Sequence, residues 1–107
     1  MILIFKYIIP KGYTGIAIFP CIFLKHPHLK KDTALINHER IHLRQQIELL
    51  VLPFFVLYVL EFLIRLVQYK SWYLAYRNIS FEREAYANEK DLNYLKSRSF
   101  WGFTNYF

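Results

Sequence analysis

Cysteine is nearly missing from this chain: Cys21 is the single thiol in 107 residues. No internal disulfide can form, and a Cys-rich structural zinc site is excluded, which removes the small stapled secreted modules. Glycine (3) and proline (4) are scarce as well, too few for collagen, low-complexity or disordered polypeptide. Acids are outnumbered, 8 against 14 Lys and Arg, for a formal net charge of +6. That balance favours anionic surroundings such as phospholipid headgroups. The basic residues are scattered without a recognisable nucleic-acid module, so nucleic acid is not expected as a partner. The length leaves room for one domain, 1–107.

What is abundant is apolar and aromatic: 55% and 20% of residues respectively. Residues 1–24 are rich in Ile, Phe and Tyr and broken by Pro10, Lys11-Gly12 and Pro20, the composition of a β-hairpin or a small three-stranded fragment. The opening MILIFKYIIP carries a lysine and no small-residue cleavage site, so it reads as a first strand rather than a secretory signal. The run from 15 to 24 carries Pro20 and suits an edge strand. After the basic loop KHPHLKK, Asp32 is the expected N-cap of a helix starting near Thr33. His26 and His28 in that loop have no further ligand nearby in sequence and read as solvent-exposed. Cys21 reads as a small packed hydrophobe.

Residues 33–69 read as one helical stretch that becomes a long apolar helix, kinked at Pro53 or split near 49–52. From Leu49 to Leu60 nearly every position is apolar and no polar face survives. A chain this short buries only about 65% of its unfolded surface, so lipid or a partner subunit is expected to cover that helix. Only about 16 residues separate Glu48 from Arg65, short of the roughly 20 of a simple span. Glu61 and Arg65, spaced i, i+4, are expected to pair. Residues 80–98 read as a further helix with Ser80 as its cap, Glu82 in its first turn, and Phe81, Ala85, Asn88, Leu92 and Leu95 on its packing face. The aromatic tail FWGFTNYF is expected to dock on the core or on a membrane surface. The fold class is therefore α+β and helix-dominated, with a long apolar helix, a Glu-bearing helix, and the N-terminal strands packed on the helix that starts near Thr33.

That helix carries His38-Glu39-Arg40-Ile41-His42, an HExxH motif. The i, i+4 spacing puts both imidazoles on one face, able to share a Zn²⁺ at roughly 2.0 to 2.1 Å, with Glu39 beside them to hold a metal-bound water. Two ligands are too few, and a Glu from a following helix can be the third. FEREAYAN, residues 81–88, offers two acids for that position, Glu82 and Glu84.

HERIHLRQQ followed by FEREAYAN resembles the gluzincin clan of metallopeptidases, whose small and membrane-bound members share HExxH with a later E-x-x-A or E-x-E-A on a separate helix. The HExxHxxQQ form, ending in Gln45 and Gln46, is similar to metallopeptidase-like domains of contractile injection systems. E-R-E-A is similar to ImmA/IrrE-type proteases and to small bacterial proteins with the same two-motif layout. The resemblance covers about residues 33–95. It implies His38 and His42 as zinc ligands, Glu39 as general base, Glu82 as third ligand, and Ala85 as the small residue where two helices approach. Where family members often carry Asp four residues after the ligand Glu, this chain has Tyr86. Helical phase brings Glu84 nearer the packing face, so Glu84 stays open as the alternative ligand. Tyr76, Arg77, Tyr86 and Tyr94 are available as oxyanion donors without one being selected. The run 16–24 is the expected edge for an extended peptide. The implied function is a zinc-dependent metallopeptidase acting on a peptide or protein substrate. The alternative is a small membrane-associated interaction protein with a structural or vestigial metal site. The expected location is the bacterial inner membrane or its cytoplasmic side, with a soluble cytoplasmic protein as the alternative.

Overall fold

The β-branched and aromatic runs at the start of the chain form three short strands in the computed structural model, which describes residues 1–107: β1 (Ile2–Ile4), β2 (Gly15–Ile18) and β3 (Cys21–Leu24). The sheet order is β1-β3-β2, with β2 antiparallel and β1 parallel to the central β3. The stretch from 15 to 24 is thus not a single edge strand. Pro20 lacks an N–H and sits in the two-residue turn that divides the run, so only β2 is an edge while β3 is paired on both sides.

Register decides which β2 groups are free. Ile16 lies opposite Phe23 and Ile18 opposite Cys21, and the ladder continues with Lys25 N–H donating to Thr14 O at 2.9 Å. Antiparallel pairs alternate between bonded and non-bonded, so Gly15 and Ala17 turn their N–H and C=O groups away from β3.

Helix α1 (Thr33–Glu48) begins where Asp32 accepts a hydrogen bond from Leu35 N–H at 3.1 Å, the expected cap. One side packs on the sheet through Ile36 against Ile22 and Leu24. The other meets α4 (Ser80–Asn88), where Phe81, Ile79, Phe54 and Phe103 form a second apolar cluster. Phe103 brings the aromatic tail onto the core.

The long helix is split, not merely kinked. α1 ends at Glu48 and α2 (Leu52–Tyr69) starts after a link in which Leu50 and Val51 adopt φ of +61° and +49°. Pro53 falls in the first turn of α2, where its missing N–H costs nothing and its fixed φ suits the helix; the break therefore comes before it. Sequence periodicity also missed α3 (Trp72–Arg77), capped by Ser71, whose Oγ accepts from Leu74 N–H at 3.3 Å.

α4 differs from expectation at both ends. Ser80 does not cap it: the Ser80 N–H and hydroxyl donate to Glu61 Oε2 and Oε1 at 2.7 and 2.6 Å, so a carboxylate on α2 serves the N-terminus of α4. Arg65 pairs with the same Glu61 at 3.2 Å, as the i, i+4 spacing suggested. At the far end, Asn37 on α1 donates to the carbonyls of Asn88, Glu89 and Asp91 at 3.2, 2.9 and 2.9 Å. Those bonds stop the helix, and the chain resumes only as the short α5 (Tyr94–Ser97). Leu92, expected on the packing face, is consequently exposed.

Around α2 the charges and the contacts share one arc. Glu61, Arg65, Phe54, Tyr58 and Phe62 face the protein, whereas Leu52, Val56, Leu60, Leu63, Ile64 and Val67 are exposed and form an uncharged arc of about 120°. The helix is long and apolar enough to cross a membrane, at mean hydropathy 1.6 over 18 residues, with 6% of that window buried. That is weak evidence for membrane association in a compact chain with a radius of gyration of 13.4 Å.

Candidate metal centre

Nine of the 22 buried residues are polar or charged, a costly proportion for so small a core unless each group is bonded. All nine lie on the inner face of α1 or on α4: Asn37, His38, Glu39, His42, Gln45 and Gln46 on the first, Ser80, Glu82 and Glu84 on the second. Every side-chain nitrogen or oxygen that is wholly shut off from solvent has a partner.

Helical spacing brings His38 and His42 together, and the packing of α4 on α1 adds Glu82. Glu82 Oε1 lies 3.2 Å from His38 Nε2 and 3.1 Å from His42 Nε2, and the two Nε2 atoms are 3.2 Å apart. Ligands held tetrahedrally at 2.0 to 2.1 Å from a zinc ion stand about 3.3 Å from one another, so the triangle has the right size for three of four positions.

The outer partners decide what kind of atoms converge there. His38 Nδ1 faces Glu89 Oε1 at 2.9 Å, and His42 Nδ1 faces Gln45 Oε1 at 2.8 Å. The orientation of the Gln45 amide is itself set, because its Nε2 donates to Phe81 O at 3.1 Å and to Glu84 Oε1 at 2.9 Å. Both imidazoles therefore carry a proton on Nδ1, and their Nε2 lone pairs point at one spot. Glu82 is oriented too, since Tyr58 donates to its Oε2 at 2.6 Å and leaves Oε1 for the histidines. Two lone pairs and a carboxylate oxygen at 3.2 Å repel unless a cation or a proton lies among them. The donor set fits a borderline-soft divalent ion with nitrogen and oxygen ligands.

In the metal-free site a proton takes that place. Burial by itself would lower the His42 pKa, but the Glu82 charge and hydrogen bond outweigh it and push His42 up to about 9. Burial likewise would raise the Glu82 carboxyl, yet the adjoining His42 and His38 hold it far below the usual carboxylate range.

Glu39 stands apart from this triangle. No protein hydrogen bond reaches its carboxylate, which lines two adjoining clefts of about 280 and 290 Å³. Burial pushes its carboxyl up from the usual range, with His42 and His38 partly opposing the shift. The free groups of β2 at Gly15 border both clefts, and Ala17 borders the second. Gln46 closes one end of that edge, donating to Ala17 O at 2.8 Å and accepting from Phe19 N–H at 2.7 Å.

Glu84 does not join the histidines. Residues two apart on a helix point about 200° apart, so with Glu82 turned toward His38 and His42, Glu84 faces the C-terminal segment, where Arg98 and Tyr94 hold it. Tyr94 is thereby removed from the candidate oxyanion donors. Tyr76 lines both clefts, its hydroxyl 2.7 Å from that of Tyr86. Tyr86 stands edge-on to the His38 ring at 4.4 Å, and the Arg77 guanidinium lies 3.6 Å over the Tyr86 ring. Tyr86 thus packs edge-on against His38 at the place where the resembling families often carry Asp, and Glu89 on the turn after α4 faces His38 Nδ1 as the acceptor. His26 and His28 stack on each other in their exposed loop, outside the site. The contributions of Tyr58, Glu89 and Gln45 had no local sequence signal beyond the Q in HExxHxxQQ. Compared with known proteins, the chain matches no family model, no curated protein and no solved structure, so any reading of this centre rests on its own geometry.

Proposed function

We propose that this protein is a zinc-dependent peptidase of the HExxH kind, similar in its site to gluzincins, hydrolysing an extended peptide at a membrane surface. The observation that carries the reading is the convergence of His38 Nε2, His42 Nε2 and Glu82 Oε1, with both Nδ1 atoms tied to acceptors and Glu39 left unbonded beside a cleft. A structural zinc site is usually closed by four protein ligands, whereas three ligands facing a cleft leave a position for water.

Zinc bound there would polarise a carbonyl and lower the pKa of its water toward about 7. Glu39, within the same cleft, takes the water proton on its carboxylate; burial already moves its carboxyl toward neutrality and so favours that transfer. Tyr76 is the best-sited donor for the developing oxyanion, since burial, with the Glu82 charge, keeps its phenol protonated well above the usual range. Gly15 of β2 offers its outward N–H and C=O groups and Ala17 its outward N–H beside the cleft that Glu39 lines, the Ala17 carbonyl being taken by Gln46, so a peptide added to this edge runs along the cleft. Gln46 ends that edge and sets how far a bound chain can pair.

The uncharged arc of α2 supports a membrane setting. The helix is followed in the chain by Lys70 and by the exposed Trp72 and Tyr73, groups that suit a headgroup boundary. Because Glu61, Arg65 and Tyr58 on the opposite arc are bonded to the protein, α2 fits a helix lying in the interface plane better than one crossing the bilayer.

The test uses the zinc-loaded protein with fluorogenic peptide libraries. Glu39→Gln keeps the side-chain shape and should retain zinc while losing hydrolysis by about 10² or more. Full activity in that variant, or an inactive zinc-loaded wild type across the libraries, overturns the proposal.

A further inference from the structure

Behind His42 runs a chain of buried side chains that the hydrolytic roles do not use. Gln45 accepts from His42 Nδ1, and its amide nitrogen donates to Glu84 Oε1. Glu84, fully buried, also accepts from Arg98 Nε and Nη2 and from the Tyr94 hydroxyl. Arg98 in turn reaches Glu48 at 2.6 Å, and the Trp101 N–H donates to the same carboxylate at 3.1 Å. Gly102 closes over the cluster: a β-carbon there would lie 2.8 Å from Glu84 Oε2.

A glutamine amide is nearly symmetric in shape, and only its partners decide which end faces His42. If the NH₂ end turned to His42, it would meet Nδ1 as a donor and force the ring proton onto Nε2, the atom that must stay bare to bind a metal. Flipping costs two bonds, because the carbonyl oxygen would then face Phe81 O and Glu84 Oε1, both acceptors. Phe81 O alone supplies half of that penalty. The Glu84 carboxylate supplies the rest, and Arg98, with its side chain wholly buried, keeps that carboxylate in place.

We propose that Glu84 and Arg98 are positioning residues for the metal centre: through Gln45 they hold His42 in the Nδ1–H form that leaves Nε2 free, and so make zinc affinity depend on the docking of the C-terminal segment. This rests on the metal-binding reading and adds to it a role for the acid that is not a ligand. The electrostatic charge of Glu84 is secondary to its accepting oxygen, so an amide at 84 can substitute where a hydrocarbon cannot.

The test compares zinc affinity, by competition with a chelating dye, in wild type, Gln45→Leu, Glu84→Gln and the double variant Glu84→Leu/Arg98→Met, which leaves no unpaired arginine in the interior. Ring ¹⁵N spectra of the metal-free proteins, recorded across a pH series that reaches the neutral ring, report which nitrogen carries the proton. The expected result is a 10- to 100-fold weaker zinc affinity in Gln45→Leu and in the double variant, with a proton shifted toward Nε2. Glu84→Gln should stay within about threefold of wild type. A double variant that melts earlier yet keeps wild-type zinc affinity and the Nδ1–H signal would reduce the chain to a structural role and overturn the proposal. Failure of wild type to bind zinc would instead overturn the metal reading, and the ring spectra would still decide whether Glu84 and Arg98 set the His42 tautomer.

Discussion

The hydroxyl of Tyr58 donates to Glu82 Oε2 at 2.6 Å, so the apolar helix α2 orients the carboxylate that meets the two histidines. This bond is the direct link between the exposed apolar surface and the site. Its phenol also stacks on Phe81, with ring planes 6° apart at 6.2 Å, and a phenylalanine would keep that contact. Tyr58→Phe should therefore fold normally and bind zinc about tenfold more weakly. A chelator titration reads the change, and an unaltered affinity would mean that the histidines alone orient Glu82.

The three converging atoms make a sharper prediction about stoichiometry. His38→Ala, His42→Ala and Glu82→Ala should each lose the one equivalent of zinc expected per chain, because two ligands rarely retain the ion without the third. Atomic absorption after gel filtration measures it. Stoichiometric metal surviving in both histidine variants would locate the metal elsewhere in the chain.

How much of this was legible beforehand depended on the distance over which each signal acts. The HExxH spacing lies within one helical turn, so His38, Glu39 and His42 could be named from periodicity alone. Choosing between Glu82 and Glu84 required knowing how α4 packs on α1, and that packing depends on contacts more than thirty residues apart in sequence. Of the two breaks the proline suggested, the split near 49–52 is the one that formed, at Leu50 and Val51, because proline tolerates a first turn and leaves α2 unkinked. Ser80 looked like a cap because serine commonly is one; Glu61, nineteen residues earlier, took the role. The parallel pairing of β1 with β3 had no local trace, since strand order is a tertiary property.

Protons and zinc compete for the same spot, which gives a pH dependence with a definite sign. His42 of the metal-free protein is raised from 6.5 to about 9. Its contribution to folding stability is fully present below about 6.5 and fades as pH rises through about 9. Zinc must displace that proton, so apparent zinc affinity should rise about tenfold per pH unit up to about 9 and level off above it. Thermal melts of the metal-free protein should fall between pH 7 and 9 while those of the zinc-loaded protein hold steady or rise. A zinc affinity flat across this range would show that no proton occupies the triangle.

The exposed arc of α2 predicts where the protein resides. Leu60 and Leu63 are 51% and 51% exposed and sit on the uncharged side of the helix, where water gains no bonded partner and lipid would remove apolar surface from it. Burying a leucine in hydrocarbon is worth about 1.5 to 3 kcal/mol, so each aspartate introduced at these positions should weaken binding to vesicles by about tenfold or more. Folding should be little changed, because neither side chain belongs to the core. The net charge of +6 adds an attraction to anionic lipid that salt screens over about 10 Å. Co-sedimentation with vesicles containing anionic phospholipid should therefore decline with ionic strength in the wild type and be nearly abolished in Leu60→Asp/Leu63→Asp. If the double variant binds vesicles as well as the wild type, α2 is not the membrane face. If the wild type ignores vesicles but sediments as an oligomer that the same substitutions dissociate, a second copy of the chain covers the arc instead.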